Sequence, residues 1–113
     1  MKIITDHLTL AELEKMASKF FGNMVKAVVD IEREIIAVDA ELHADLEALL
    51  LEQGSEQRNL WGINFYPEIA GEGFIEFDSM INMRPSLGNL SRGVDDQKTR
   101  EKIVTVVSKR IRG

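Results

Sequence analysis

The sequence predicts an α+β domain, with a four-stranded antiparallel sheet, meander-like in its connections, and an N-terminal and a C-terminal helix packed on one face. Three observations predict it. The 113 residues are 44% apolar and 29% charged, an ordinary globular mixture with room for one core, so residues 1–113 are read as one domain. Helical spacing of apolar residues marks both ends of the chain. Between the ends, apolar and polar residues alternate in runs broken by glycine and proline.

Thr9-Leu10-Ala11-Glu12 has the spacing of a capping box, in which each end residue's side chain can satisfy the other's amide. Leu10, Leu13, Ala17 and Phe20 then share a face, with Met16 and Phe21 beside them. Gly22-Asn23 offers a left-handed stop, which gives a helix over 10–21. From Met24 the period shortens to two: Val25, Ala27, Val29 and Ile31 alternate with Met24, Lys26, Val28 and Asp30, as in a strand, and Glu32-Arg33-Glu34 makes a polar reversal.

A second alternation runs through Ile36, Val38, Ala40, Leu42, Ala44, Leu46, Ala48 and Leu50. It favours a long, bent strand that would align Asp39, Glu41, His43, Asp45 and Glu47 on the other face. A helix is the rival for its second half, because Leu42, Leu46, Leu49 and Leu50 also fit helical spacing and Ala, Leu and Glu are good helix formers. Gln53–Arg58 reads as a hairpin loop. The next strand spans 59–66, with Trp61, Ile63 and Phe65 on the buried side and Pro67 as its stop.

Phe74 to Arg84 alternates again, with Ile75, Phe77, Ser79, Ile81 and Met83 facing one way and Glu76, Asp78, Met80, Asn82 and Arg84 the other. Ser86–Gly93 has no apolar period and reads as a loop. Asp95 or Asp96 then caps a final helix with Ile103, Val104, Val107 and Ile111 as its buried stripe. Trp61, Phe65, Phe77 and Phe20 are the expected core aromatics.

Cysteine is absent, which excludes disulfides, thiolate metal sites and a cysteine nucleophile. The N-terminus lacks a signal-peptide apolar region and no run is long enough to span a membrane, so the expected setting is the cytoplasm, away from membranes. A net charge of −5, from 14 basic and 19 acidic residues, works against broad binding to a nucleic-acid backbone. The basic residues near the C-terminus read as a solvated helix end.

The segments Val25–Glu32, Glu41–Asp45, Leu60–Asn64 and Ile81–Pro85 resemble those of a family of short prokaryotic proteins of unknown function. The resemblance spans nearly the whole chain. It implies a shared fold, and it implies no established activity, cofactor or site residues.

Two constellations could carry chemistry. On a strand, Glu41, His43, Asp45 and Glu47 would project at intervals of ~6.6–6.8 Å, so His43, Asp45 and Asp78 are candidate metal ligands or acid/base groups of a metal-assisted hydrolase. The second constellation is anion-receiving. Arg84 and Arg92 bracket a loop containing Asn89 and Ser91, and together with Asn64, Asn82 and the start of the last helix they could hold a phosphate or carboxylate. The one-sided concentration of polar groups favours a non-catalytic module for a small anionic ligand or a protein partner. A homodimer formed through an open sheet edge is a further expectation.

Overall fold

A computed structural model describes residues 1–113. In chain order it contains β1 (Lys2–Ile4), β2 (Leu8–Thr9), α1 (Leu10–Phe20), β3 (Val25–Asp30), β4 (Ile35–Val38), α2 (His43–Glu52), β5 (Leu60–Phe65), β6 (Ile75–Glu76), α3 (Gln97–Arg110) and β7 (Ile111–Arg112). The main sheet has five strands rather than the four expected, all antiparallel, in the order β1-β4-β3-β5-β6. A small parallel pair, β2 with β7, brings the two ends of the chain together. No helix is long and apolar enough to cross a membrane.

The first helix follows its sequence signals. Thr9 Oγ1 accepts from the Glu12 amide at 3.1 Å and Glu12 Oε1 accepts from the Thr9 amide at 3.1 Å, completing the capping box. Gly22 closes the helix in the left-handed region, at φ 88°. These bonds also hold the Glu12 carboxyl below its usual pKa. The reversal between β3 and β4 is held by Asp30, whose Oδ1 accepts from the amides of Glu32 and Arg33, each at 2.9 Å.

The long bent strand expected from Ile36 to Leu50 is replaced by β4 and α2. Asp39 adopts φ 74°, which takes the backbone out of the extended region directly after Val38. The chain then enters a helix that buries His43, Leu46 and Leu50, at i, i+3 and i+7. Ala44 and Ala48 are exposed there, so their apolar character had suggested an alternation that carries no burial.

Helix α2 also overturns the expectation of helical cover on one face only. Ala27, Val29, Ile36, Val38, Ile63 and Phe65 pack with residues of α1 and α3 in one core cluster. The intervening Val28, Ile35, Ala37 and Leu60 pack with Leu46 and Leu50 of α2 in a second. Successive strand residues face opposite sides, so the central strands are buried on both. Burying each Val, Leu, Ile or Phe among them contributes about 1.5–3 kcal/mol. Because α2 carries the chain over the sheet, β5 pairs with β3 and not with β4, and the order is not a meander.

The last expected strand, Phe74–Arg84, shrinks to β6. Beyond it lie 3-10 turns at Met80–Asn82 and Pro85–Leu87. Ser79 Oγ accepts from the Ile81 amide at 3.2 Å and so favours a turn over an extended chain. In α3 the buried stripe is Ile103, Val106 and Val107, while Val104 is exposed and Ile111 belongs to β7. Asp96 is the cap, accepting from Thr99 N at 3.0 Å. Phe65 and Trp61 sit in the core, whereas Phe77 and Phe20 are only half-buried.

Candidate functional site

Register across three strands places Lys26 opposite Asn64 and Asn64 opposite Glu76. A cation, an amide and a carboxylate therefore form one row across the sheet, with neighbours ~4.5–5.5 Å apart at Cβ. Near the row the first turn of α2 contributes His43, and the segment following β6 contributes Asp78, Ser79 and Met80. Together they enclose a pocket of about 490 Å³, with Met24, Leu42 and Ile81 among its apolar walls and Tyr66 and Arg92 among its polar ones.

At the carboxylate end, Glu76 Oε1 accepts from Asn64 Nδ2 at 2.9 Å and from the Tyr66 hydroxyl at 3.0 Å. Burial, reinforced by the Glu76 hydrogen bond and the Glu76 and Asp78 charges, raises the Tyr66 phenol above its ordinary pKa, so it remains a donor. Arg92 Nε donates to Asp78 Oδ1 at 2.7 Å.

His43 is buried, and its Nε2 lies 2.8 Å from the Ile63 carbonyl oxygen. A carbonyl can only accept, so Nε2 carries the proton. Burial pushes the imidazole below its ordinary pKa and the Lys26 charge adds to this, while the Ile63 carbonyl, the Asn64 side chain and Asp78 oppose it. In the neutral ring that follows, Nδ1 is an unprotonated acceptor.

One charged group in the pocket has no ion-pair partner within the chain. Lys26 enters none of the five ion pairs, and its Nζ stands 5.1 Å from the Phe21 ring centroid. Asn64 is 4% exposed, its Oδ1 presents almost no accessible surface, and its side chain favours the charged form of His43 through a hydrogen bond. Its Nδ2 is taken by Glu76 and, at 3.3 Å, by the Asp78 carbonyl. Helix α2 begins at Leu42, which provides no side-chain cap.

The structure thus gathers His43, Asn64, Asp78 and Arg92 from the two constellations and disperses the others. Asp45 is exposed on α2, two residues from His43 and so about 200° around the helix from it. No group of three or more His, Asp or Glu side chains is placed to hold a metal ion. Arg84 donates to the carbonyls of Gln57 and Leu60 and lies 4.4 Å from the Trp61 ring centroid. Burial lowers the pKa of its guanidinium, which Glu47 opposes.

Asn82 and Asn89 are internal stitches. Asn82 bonds the backbone of Gly62 in both directions and the Arg92 carbonyl. Asn89 Nδ2 donates to the carbonyls of Asn82 and Gly93 at 2.7 and 2.9 Å. Ser91 Oγ donates to Asp95 at 2.5 Å. The loop expected to receive an anion is therefore bonded to itself.

Lys26 and Glu76 complete the pocket without having been singled out as site residues in the sequence, and Tyr66, which the sequence offered with Trp61 only as a possible stacking surface for a nucleobase, joins them through its hydroxyl. The signal was a lone lysine inside an apolar strand, at the parity that faces Asn64 once β3 and β5 are paired.

A family model described as protein of unknown function (DUF5674) matches residues 2–110. Comparisons with curated proteins and with solved structures gave no match.

Proposed function

The chain belongs to this DUF5674 family of proteins of unknown function, and with that premise we propose that it is a binding module whose pocket between β3, β5 and the start of α2 takes a small anionic ligand. One observation carries the reading: Lys26, on a strand otherwise dominated by apolar residues, lines this pocket and has no ion-pair partner in the chain. An ammonium without an ion-pair partner attracts an incoming anion. The first-turn amides of α2 add positive potential on the same side.

Thermal unfolding in the presence of small carboxylates and inorganic phosphate tests this, since ligand bound to the native state raises the apparent midpoint by mass action. The expected result is a concentration-dependent rise in the wild type that Lys26→Met removes. A rise of equal size in Lys26→Met, or none in either protein, overturns the proposal. In the second case a protein partner on this surface becomes the reading to pursue.

A further inference from the structure

The charges around the pocket limit what it can take. Its lining contains two cations, Lys26 and Arg92, and two carboxylates, Glu76 and Asp78. Arg92 is engaged by Asp78, which leaves Lys26 as the lining cation without an ion-pair partner. Burial holds the His43 imidazole below its ordinary pKa, so at neutral pH it adds no charge. Glu76 accepts from Asn64 and from the Tyr66 hydroxyl and meets no cation, so its charge stands uncompensated across Asn64 from Lys26. One negative charge on a ligand suits Lys26. A second would meet Glu76 or Asp78, or would be desolvated against the apolar walls.

Those walls are large and open. Leu42, directly before α2, is 54% exposed, and Met80, at the start of its 3-10 turn, is 64% exposed; both line the pocket with Met24 and Ile81. Two large apolar side chains that the core does not use therefore stand at the same cavity as the unpaired lysine. Methionine is unbranched and adaptable, which fits Met24 and Met80 to a flexible aliphatic chain. The cavity of about 490 Å³ is many times the ~30 Å³ of a water molecule, so an ion of a few heavy atoms leaves most of it unfilled.

We infer, on the basis of the proposed anion site, that the ligand is an aliphatic monocarboxylate, with its carboxylate at Lys26 and its chain against Met24, Leu42, Met80 and Ile81. Inorganic phosphate lacks the chain, a neutral alcohol lacks the charge, and a dicarboxylate carries a second charge into the apolar end.

Titration of the isotope-labelled full chain at pH 7.5, followed by its amide signals, tests this with acetate, butyrate and hexanoate. Adipate and hexanol serve as the doubly charged and uncharged counterparts of hexanoate. The expected result is an affinity that rises about two- to fourfold per methylene, fourfold being the scale of complete burial. Hexanoate should also bind at least about tenfold more tightly than adipate or hexanol. Leu42→Ser combined with Met80→Gln changes two exposed side chains and should flatten the series while acetate binding stays. Lys26→Met should weaken hexanoate to the level of hexanol. If either variant does not fold, the wild-type ratios decide. Equal affinity for acetate and hexanoate, adipate matching hexanoate, or a series unchanged in the double variant overturns this inference and leaves the anion site standing. Hexanol binding as tightly as hexanoate, or no binding by any of these compounds, overturns both.

Discussion

The side-chain amide of Asn82 meets the backbone of Gly62 in both directions: Nδ2 donates to the Gly62 carbonyl at 2.9 Å, and Oδ1 accepts from the Gly62 amide at 2.8 Å. A side chain here does what a strand would do along the edge of β5. Asn82 is fully buried, so its removal leaves a donor and an acceptor of Gly62 without partners. Asn82→Ala is expected to lower stability by about 2–4 kcal/mol in urea unfolding. A loss below about 1 kcal/mol would show that another group takes over the pairing.

Gly62 is required for a different reason. A Cβ at this position would lie 2.5 Å from Ser79 Cβ and 2.7 Å from its Oγ. Gly62→Ala should cost about 1–3 kcal/mol through overpacking. The double variant with Ser79→Gly should recover part of that loss, and a strictly additive double-mutant cycle would place the strain elsewhere.

Asp30 is fully buried and holds the β3–β4 reversal to the end of α2. Besides the two amides of the turn, its Oδ2 accepts from Ser55 Oγ at 2.6 Å, and Arg33 Nη1 donates to Ser55 Oγ and to the Gln53 carbonyl. Asp30→Ala, which removes three of these bonds, should therefore cost about 3 kcal/mol, more than Ser55→Ala, which removes two. The reverse ranking in denaturant unfolding would contradict this account.

Arg84 contributes to the fold through two backbone carbonyls and the face of Trp61. Lysine retains the charge and loses the planar fork. Arg84→Lys should destabilise by about 1–2 kcal/mol and alter Trp61 fluorescence, while the response to small anions stays unchanged. Loss of that response in a folded Arg84→Lys would return the loop to the binding site.

His43 should make stability depend on pH between about 7 and 5. Its folded-state pKa lies below the ordinary value of 6.5, so the folded state resists protonation that the unfolded chain accepts. The contribution is complete above pH 6.5 and is lost as pH falls through the depressed folded value. Glu12, Glu34, Asp95 and Asp96 are also depressed, but from reference values of 4.5 and 3.8, so their losses come at lower pH. Unfolding midpoints should decline from pH 7 to 5 in the wild type and decline less in His43→Gln. Parallel profiles would assign the slope to other groups.

Local signals in the sequence determined the parts of this protein that depend on neighbouring residues. The Thr9–Glu12 box and Gly22 bound α1, the polar reversal after Asp30 joins β3 to β4, and Asp96 starts α3, because capping and turn bonds span only a few positions. Tertiary structure decided the rest. The apolar alternation from Ile36 to Leu50 suited a strand and a helix alike until a second sheet face required cover, and α2 supplied it with Leu46 and Leu50. β1 is a three-residue strand, too short to announce a period, and it exists through its pairing with β4. The pocket was hidden for the same reason. Lys26, Asn64 and Glu76 are 38 and 12 residues apart in the chain, and only the registers of β3 with β5 and β5 with β6 place them in one row.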